Sequence, residues 1–186
     1  KRTGSVVQNT ISDEERYQTV YAQEEGSVAA PTAGLHFTSP LLEKIRSKGT
    51  ELVSLLLHIS GGTFLPVRSE DIRQHRLQSE YFLLPAETAE KINLCKMRGG
   101  RIVACGTTVT RVLESQVEHS RVKSGEGYTN FYICPGYEFQ MVDMLITNFH
   151  LPKSTSLILV SAFAGQEKIL SVYNEAIKEN YRFYSY

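Results

Sequence analysis

Neither sign of charge is in excess in this chain of 186 residues: Lys and Arg number 20, and so do Asp and Glu. A protein that grips nucleic acid mainly by neutralising phosphates carries a basic excess, so strong nonspecific nucleic-acid binding is disfavoured and only a local basic patch is left open. Long apolar runs are missing too. None reaches the ~20 residues of a membrane span, and the start shows no secretory apolar segment. The longest greasy run, Leu157 to Ala164, is interrupted by Ser161 and is short enough to be core. Cysteine is scarce: Cys95, Cys105 and Cys134 form no C-x-x-C pair, which fits neither a disulfide framework nor a zinc site. These absences point to a cytoplasmic protein with reduced thiols and no membrane partner. Internal repeats, low-complexity segments and paired carboxylates suited to acid–base work are also lacking.

What is present is a set of punctuated apolar segments. Residues 1–12 read as a tail or the remnant of a connection, and residues 1–186 as one main α/β domain. Ser12-Asp13-Glu14-Glu15 offers a cap for a short helix through Tyr21. Thr38 or Ser39 caps a second helix with Pro40 near its first position and Gly49 at its C-terminal side. Glu51 to His58 reads as a strand buried on both faces. Phe82 to Leu84 closes another strand before a helix from Pro85 to about Lys96. Arg101 to Cys105 is a strand, Gly106-Thr107-Thr108 a turn, and Val109 to about Glu118 a helix. Tyr128 to Ile133 is a strand by its alternation, and two helices follow, about Ser154–Phe163 and Glu167–Glu179. Alternating strands and helices predict an α/β fold with a mostly parallel or mixed sheet and flanking helices. The terminal aromatic run Tyr181 to Tyr186 is expected to pack against that sheet.

Four turns could carry chemistry. The first, Ala29 to Thr38 (AAPTAGLHFT), has no periodicity of 2 or 3.6; it sets Pro31, Thr32 and Gly34 beside His36, a side chain able to move a proton near neutral pH. The second, His58 to Val67 (HISGGTFLPV), places Gly61, Gly62 and Thr63 where backbone can approach a ligand closely; a plain turn after a strand, with His58 a core histidine, is the alternative. In the third, Gly106 to Arg111 (GTTVTR), a helix start with Thr107, Thr108 and Arg111 suits a phosphate or carboxylate. A simple cap with Arg111 paired to Glu114 on a solvent face is its alternative. The fourth, Asn148 to Thr155 (NFHLPKST), brings Asn148, His150 and Lys153 within six residues; it too reads otherwise as a polar loop serving its own backbone. No two of His36, His58 and His150 stand at ligand spacing, so no metal is expected. The glycines around Gly106 do not make a dinucleotide fingerprint. In α/β folds, ligands sit beyond strand C-termini, where turns of this kind cluster.

Taken together, APTAGLHFT, ERYQTVYA, the GTF-x-PV loop, GGRIVACGTT-x-TR, PGYEF and NFHLPKST resemble the S-adenosylmethionine:tRNA ribosyltransferase-isomerase family of queuosine biosynthesis, from about Asp13 to Tyr186. Leu65 stands where the family pattern has Arg, and Ser60 where it has Gly. The resemblance implies a barrel-like main α/β domain, here without the β-barrel domain that the family inserts into it. It also implies transfer and isomerisation of the ribosyl part of S-adenosylmethionine onto 7-aminomethyl-7-deazaguanine at the tRNA wobble position, giving epoxyqueuosine and releasing adenine and methionine. S-adenosylmethionine is then a cosubstrate, no cofactor is permanently bound, the modified tRNA is the partner, and the chain is expected to be monomeric. In such a site His36 or His150 (with His58 as a third candidate) handles the proton. Arg111 and the Gly106–Thr108 turn hold an anion, and Lys153 meets tRNA phosphate. A nucleotide- or tRNA-binding α/β module without its own catalysis is the alternative, and a sugar-phosphate enzyme of the α/β-barrel kind is a third reading that rests on Gly106-Thr107-Thr108 alone.

Overall fold

The computed structural model describes residues 17–59, 61, 66–69 and 71–183. Among them, five α-helices and seven short strands alternate along the chain, with one-turn 3-10 helices at Thr32–His36 and Ile72–Gln74. The first helix, α1 (Ser39–Ser47), begins where the sequence places it: Thr38 Oγ1 accepts from Leu41 N at 3.3 Å, Pro40 lies in the first turn, and Gly49 takes a left-handed φ of 84° beyond the end. Strand β1 (Leu56–His58) pairs antiparallel with β2 (Glu80–Leu84), which pairs antiparallel with β6 (Gly125–Thr129). Along β2, burial alternates: Glu80, Phe82 and Leu84 face inward while Tyr81 and Leu83 are half-exposed, the period of 2 that a strand imposes.

Helix α2 (Ala86–Met97) leads into β3 (Val103–Cys105), and α3 (Thr107–Ser115) follows directly. A two-residue hairpin, β4 (Val117–Glu118) and β5 (Arg121–Val122), turns through His119 and Ser120, both at positive φ. Strand β7 (Met144–Ile146) lies parallel to β3, and α4 (Thr155–Ala164) and α5 (Gln166–Lys178) complete the chain. One apolar core gathers Phe82, Leu84, Ile92, Ala104, Val112 and Met141 between the antiparallel sheet, α2 and α3. A smaller one joins Ile133, Leu159 and Val160 under α4.

Several expectations are corrected. The sheet is not mostly parallel: β3–β7 is the one parallel pair among the described residues, and none of the three small sheets closes into a barrel. Helices α2 and α3 each leave one small sheet and enter another, so helix–strand alternation does not here mean repeated parallel crossovers. The doubly buried strand over Glu51–His58 shrinks to three half-buried residues. Strand β6 lies at 125–129 rather than 128–133, because Gly125 and Gly127 pair opposite the large side chains of β2. The third helix stops at Ser115, and its expected last turn is the β4–β5 hairpin. The helix expected through Tyr21 begins outside the described residues; from Tyr17 to Ala22 the chain forms a turn closed by Ala22 N donating to Thr19 O. The terminal aromatics do not lie on a sheet: Phe183 stacks on Phe149 at 5.2 Å beside α5, and 184–186 fall outside the described residues.

Candidate active site

The end of β7 and the segment after it, which is the fourth sequence-marked turn, touch the other three. The Ile146 carbonyl accepts from Gly106 N at 2.9 Å, which fixes the turn before α3 beside the end of the parallel pair. Asn148 reaches the first turn: its Oδ1 accepts from Thr32 Oγ1 at 3.3 Å, and its Nδ2 lies 3.5 Å from His36 Nε2. The Lys153 carbonyl accepts from Val67 N at 2.8 Å, which joins it to the far end of the HISGGTFLPV turn. Ser154 caps α4 by accepting from Leu157 N, and Ser156 Oγ meets Thr107 Oγ1 at 3.3 Å.

The first turn is held from behind. Ser27 Oγ donates to Ala29 O and accepts from Ile59 N, and Val28 N donates to Ile59 O, so the turn is anchored to the end of β1. Ala33 and Gly34 are buried, while His36 is exposed. A methyl group on Gly34 would run into the Tyr21 hydroxyl and lie 2.9 Å from Thr19 Cγ2, so Thr19 and Tyr21 seat against a site that only glycine leaves free. Tyr21 in turn meets Cys105 at the end of β3. Burial foremost, and then Cys105, push the Tyr21 phenol up to about 12, and burial raises the Cys105 thiol. Both stay protonated and serve as packing.

A groove of about 490 Å³ opens between the first turn, β7 and α5. His36 and Asn148 supply its polar edge, Phe37, Phe149 and Tyr173 its aromatic walls, and Arg182 a cation at one end. Phe149 and Tyr173 meet edge to face at 5.1 Å, and the Tyr173 hydroxyl accepts from His150 N at 2.7 Å. A few polar groups on a mostly apolar, aromatic wall is the usual chemistry of a small-molecule pocket.

The structure places the remaining candidates as follows. Pro31 precedes the 3-10 turn, and Thr32 is in the Asn148 contact. Among the three histidines, His36 alone lines the groove. The proton role expected of His150 is corrected: burial lowers its pKa to about 4, so it is neutral at physiological pH and a weak base, and its Nε2 lies 2.9 Å from Thr147 Oγ1. His58 is likewise set apart, half-buried at the end of β1 against the ring of Tyr81 at 5.2 Å and beside Gly26. Gly61 is exposed; Gly62 and Thr63 lie outside the described residues. Lys153 is exposed at a left-handed φ of 60°.

The surroundings of Arg111 differ from both expectations. It is neither an open guanidinium nor a solvent-face partner of Glu114. Its Nη2 is ion-paired with the buried Glu80 and also donates to Thr108 Oγ1 at 3.1 Å. Glu114 is itself buried: its carboxylate accepts from the backbone N–H groups of Gln140, Met141 and Val142 and from the Tyr137 hydroxyl, at 2.8 to 3.0 Å. It thereby locks the chain from Tyr137 to Val142. Sequence reasoning missed the groove walls Phe149, Tyr173 and Arg182, since no short-range pattern links an aromatic on α5 to a loop 23 residues earlier. Among the described residues, no group of three His, Cys, Asp or Glu side chains could hold a metal ion, and no helix is long and apolar enough to cross a membrane.

Comparisons with known proteins give a consistent result. A family model described as "Queuosine biosynthesis protein" matches residues 2–186. An S-adenosylmethionine:tRNA ribosyltransferase-isomerase from Geotalea uraniireducens (strain Rf4) is 55% identical over 175 residues, covering 94% of this chain and 51% of that protein. One of the same name from Natranaerobius thermophilus is 54% identical, covering 97% and 53%. The crystal structure of S-adenosylmethionine tRNA ribosyltransferase from Thermotoga maritima superposes with a TM-score of 0.68 at 41% identity, covering 82% of this chain and 48% of that one. The chain thus spans about half the length of the curated relatives it matches.

Proposed function

This chain belongs to the family of queuosine biosynthesis proteins, and from that premise we propose that it supplies the main α/β domain of a cytoplasmic, monomeric S-adenosylmethionine:tRNA ribosyltransferase-isomerase. Its reaction moves the ribosyl group of S-adenosylmethionine onto 7-aminomethyl-7-deazaguanine at the wobble position of tRNA, isomerises it, and releases adenine and methionine. The observation that carries the site assignment is the Thr32–Asn148–His36 relay on the edge of an aromatic groove.

The chemistry begins with a proton. The sulfonium acidifies the adjacent ribose C–H, so a positioned base can start the elimination that expels adenine, and the aminomethyl nitrogen of the tRNA base then attacks as nucleophile. His36 fits the part of that base. With Asn148 Oδ1 accepting from Thr32 Oγ1 and its Nδ2 3.5 Å from His36 Nε2, the Asn148 amide orients the His36 ring at the groove edge. Phe37, Phe149 and Tyr173 offer flat faces to adenine. Lys153, exposed on the loop that leaves β7, meets tRNA phosphate.

The test is adenine release from S-adenosylmethionine by the full-length protein with its modified tRNA. His36→Ala is expected to slow release about 100-fold or more, the ordinary contribution of a general base, while His58→Ala leaves it within a few-fold. Release by His36→Ala within a few-fold of wild type removes His36 from the mechanism. Tight tRNA binding with no adenine release by the wild-type protein would favour the binding-module reading.

A further inference from the structure

The geometry points to an oxyanion-binding subsite in the small cleft between the first turns of α3 and α4, with Arg111 and Tyr132 as its buried donors. Thr107, Thr155, Ser156 and Leu77 line the same cleft. Two helices of nine and ten residues begin here: α3 starts at Thr107 with no side chain capping its first amides, and α4 starts at Thr155. The 3.3 Å contact between Thr107 Oγ1 and Ser156 Oγ brings the two first turns together, so two positive helix ends converge.

Helix ends by themselves do not make a site. The independent observation is Arg111, whose side chain is 5% exposed. Its Nη2 is satisfied by Glu80 and Thr108, but its Nη1 is buried with no hydrogen-bond partner. The Tyr132 hydroxyl is buried and unpartnered as well. Two unmade buried donors in one cleft are unfavourable, and a single oxyanion accepts from both. Glu80 already balances the Arg111 charge, so an incoming anion is held by helix ends and hydrogen bonds more than by net charge. That favours a singly charged group. The volume, about 10 Å³, admits the polar tip of a ligand and no ring.

This subsite rests on the reading above, under which the methionyl carboxylate of S-adenosylmethionine is one source of the oxyanion and an RNA phosphate the other. The test is calorimetric titration of the full-length protein with L-methionine and, separately, with inorganic phosphate, for wild type, Tyr132→Phe and Thr107→Val. Methionine affinity is expected to fall about tenfold in each variant, the effect of one charge-assisted hydrogen bond, and methioninamide to bind wild type as weakly. A fall for phosphate instead upholds the subsite and assigns it to RNA. Binding of both ligands unchanged by both substitutions, or binding of neither ligand by wild type, overturns it. Thermal unfolding checks the fold: Tyr132→Phe without ligand should unfold at the wild-type temperature or higher, since the hydroxyl has no partner to lose. Adenine release in the same samples reports on the parent reading. Release alongside unchanged titrations sinks the subsite alone, and wild type without release sinks the reading while the titrations still judge the cleft.

Discussion

His150 shows how burial sets one histidine apart from another on a neighbouring segment. Its ring, at the end of the β7 loop, has its pKa lowered to about 4 from 6.5 by burial, whereas His36 is exposed at the groove edge. The consequence for stability has a definite sign. Between about pH 6.5 and 4 the unfolded chain takes up a proton at this residue that the folded chain does not. Stability is therefore full above pH 6.5 and falls as pH drops through that window, by on the order of 3 kcal/mol in all. Urea denaturation at pH 7, 5 and 4 should show this loss, and His150→Gln should flatten it. Lys153 gives a second prediction at this scale, one that separates fold from binding. Its φ of 60° is a left-handed conformation that glycine adopts freely. Lys153→Gly should unfold at an unchanged or higher temperature, yet bind tRNA more weakly, with the slope of log affinity against log salt reduced by about one.

Among the elements, α3 carries more than its length suggests. Its inner face holds Arg111 against Glu80 of β2 and Glu114 against the backbone of the loop at 140–142. Glu114→Ala would strip acceptors from three backbone N–H groups and the Tyr137 hydroxyl, so a loss of about 3 kcal/mol or more is expected in denaturant titrations. Glu114→Gln should cost less, because its amide oxygen still accepts. The helices were legible because their signals are local: Thr38 and Pro40 begin α1, Gly49 follows its end, and Ser154 begins α4. Strand partners were not, because pairing is decided by residues far apart. Nothing near Glu80 announces that its carboxylate meets Arg111 in the core, and a charged residue opening a strand ordinarily reads as exposed. The site was half legible for the same reason. Turn chemistry marked Thr32, His36 and Asn148, but only the fold could show that these three meet while His58 lies against Tyr81.

At the scale of the molecule, the charges of the chain balance, and it covers about half the length of its curated relatives. The groove depends on the parallel contact of β3 with β7, three residues on each side, which joins positions about forty apart in sequence. The antiparallel pairing of β2 with β6 spans a similar distance. Helices α2 to α5 can start forming from neighbouring residues alone, whereas those pairings must first pay the entropy of closing long loops. Asn148 reaches Thr32 and His36 across more than a hundred residues, so the relay belongs to the last contacts that a refolding chain makes. A nascent chain of this protein would carry most of its helices well before the edge of the groove was assembled, so closure of the groove would mark the end of folding more sharply than any measure of helix content.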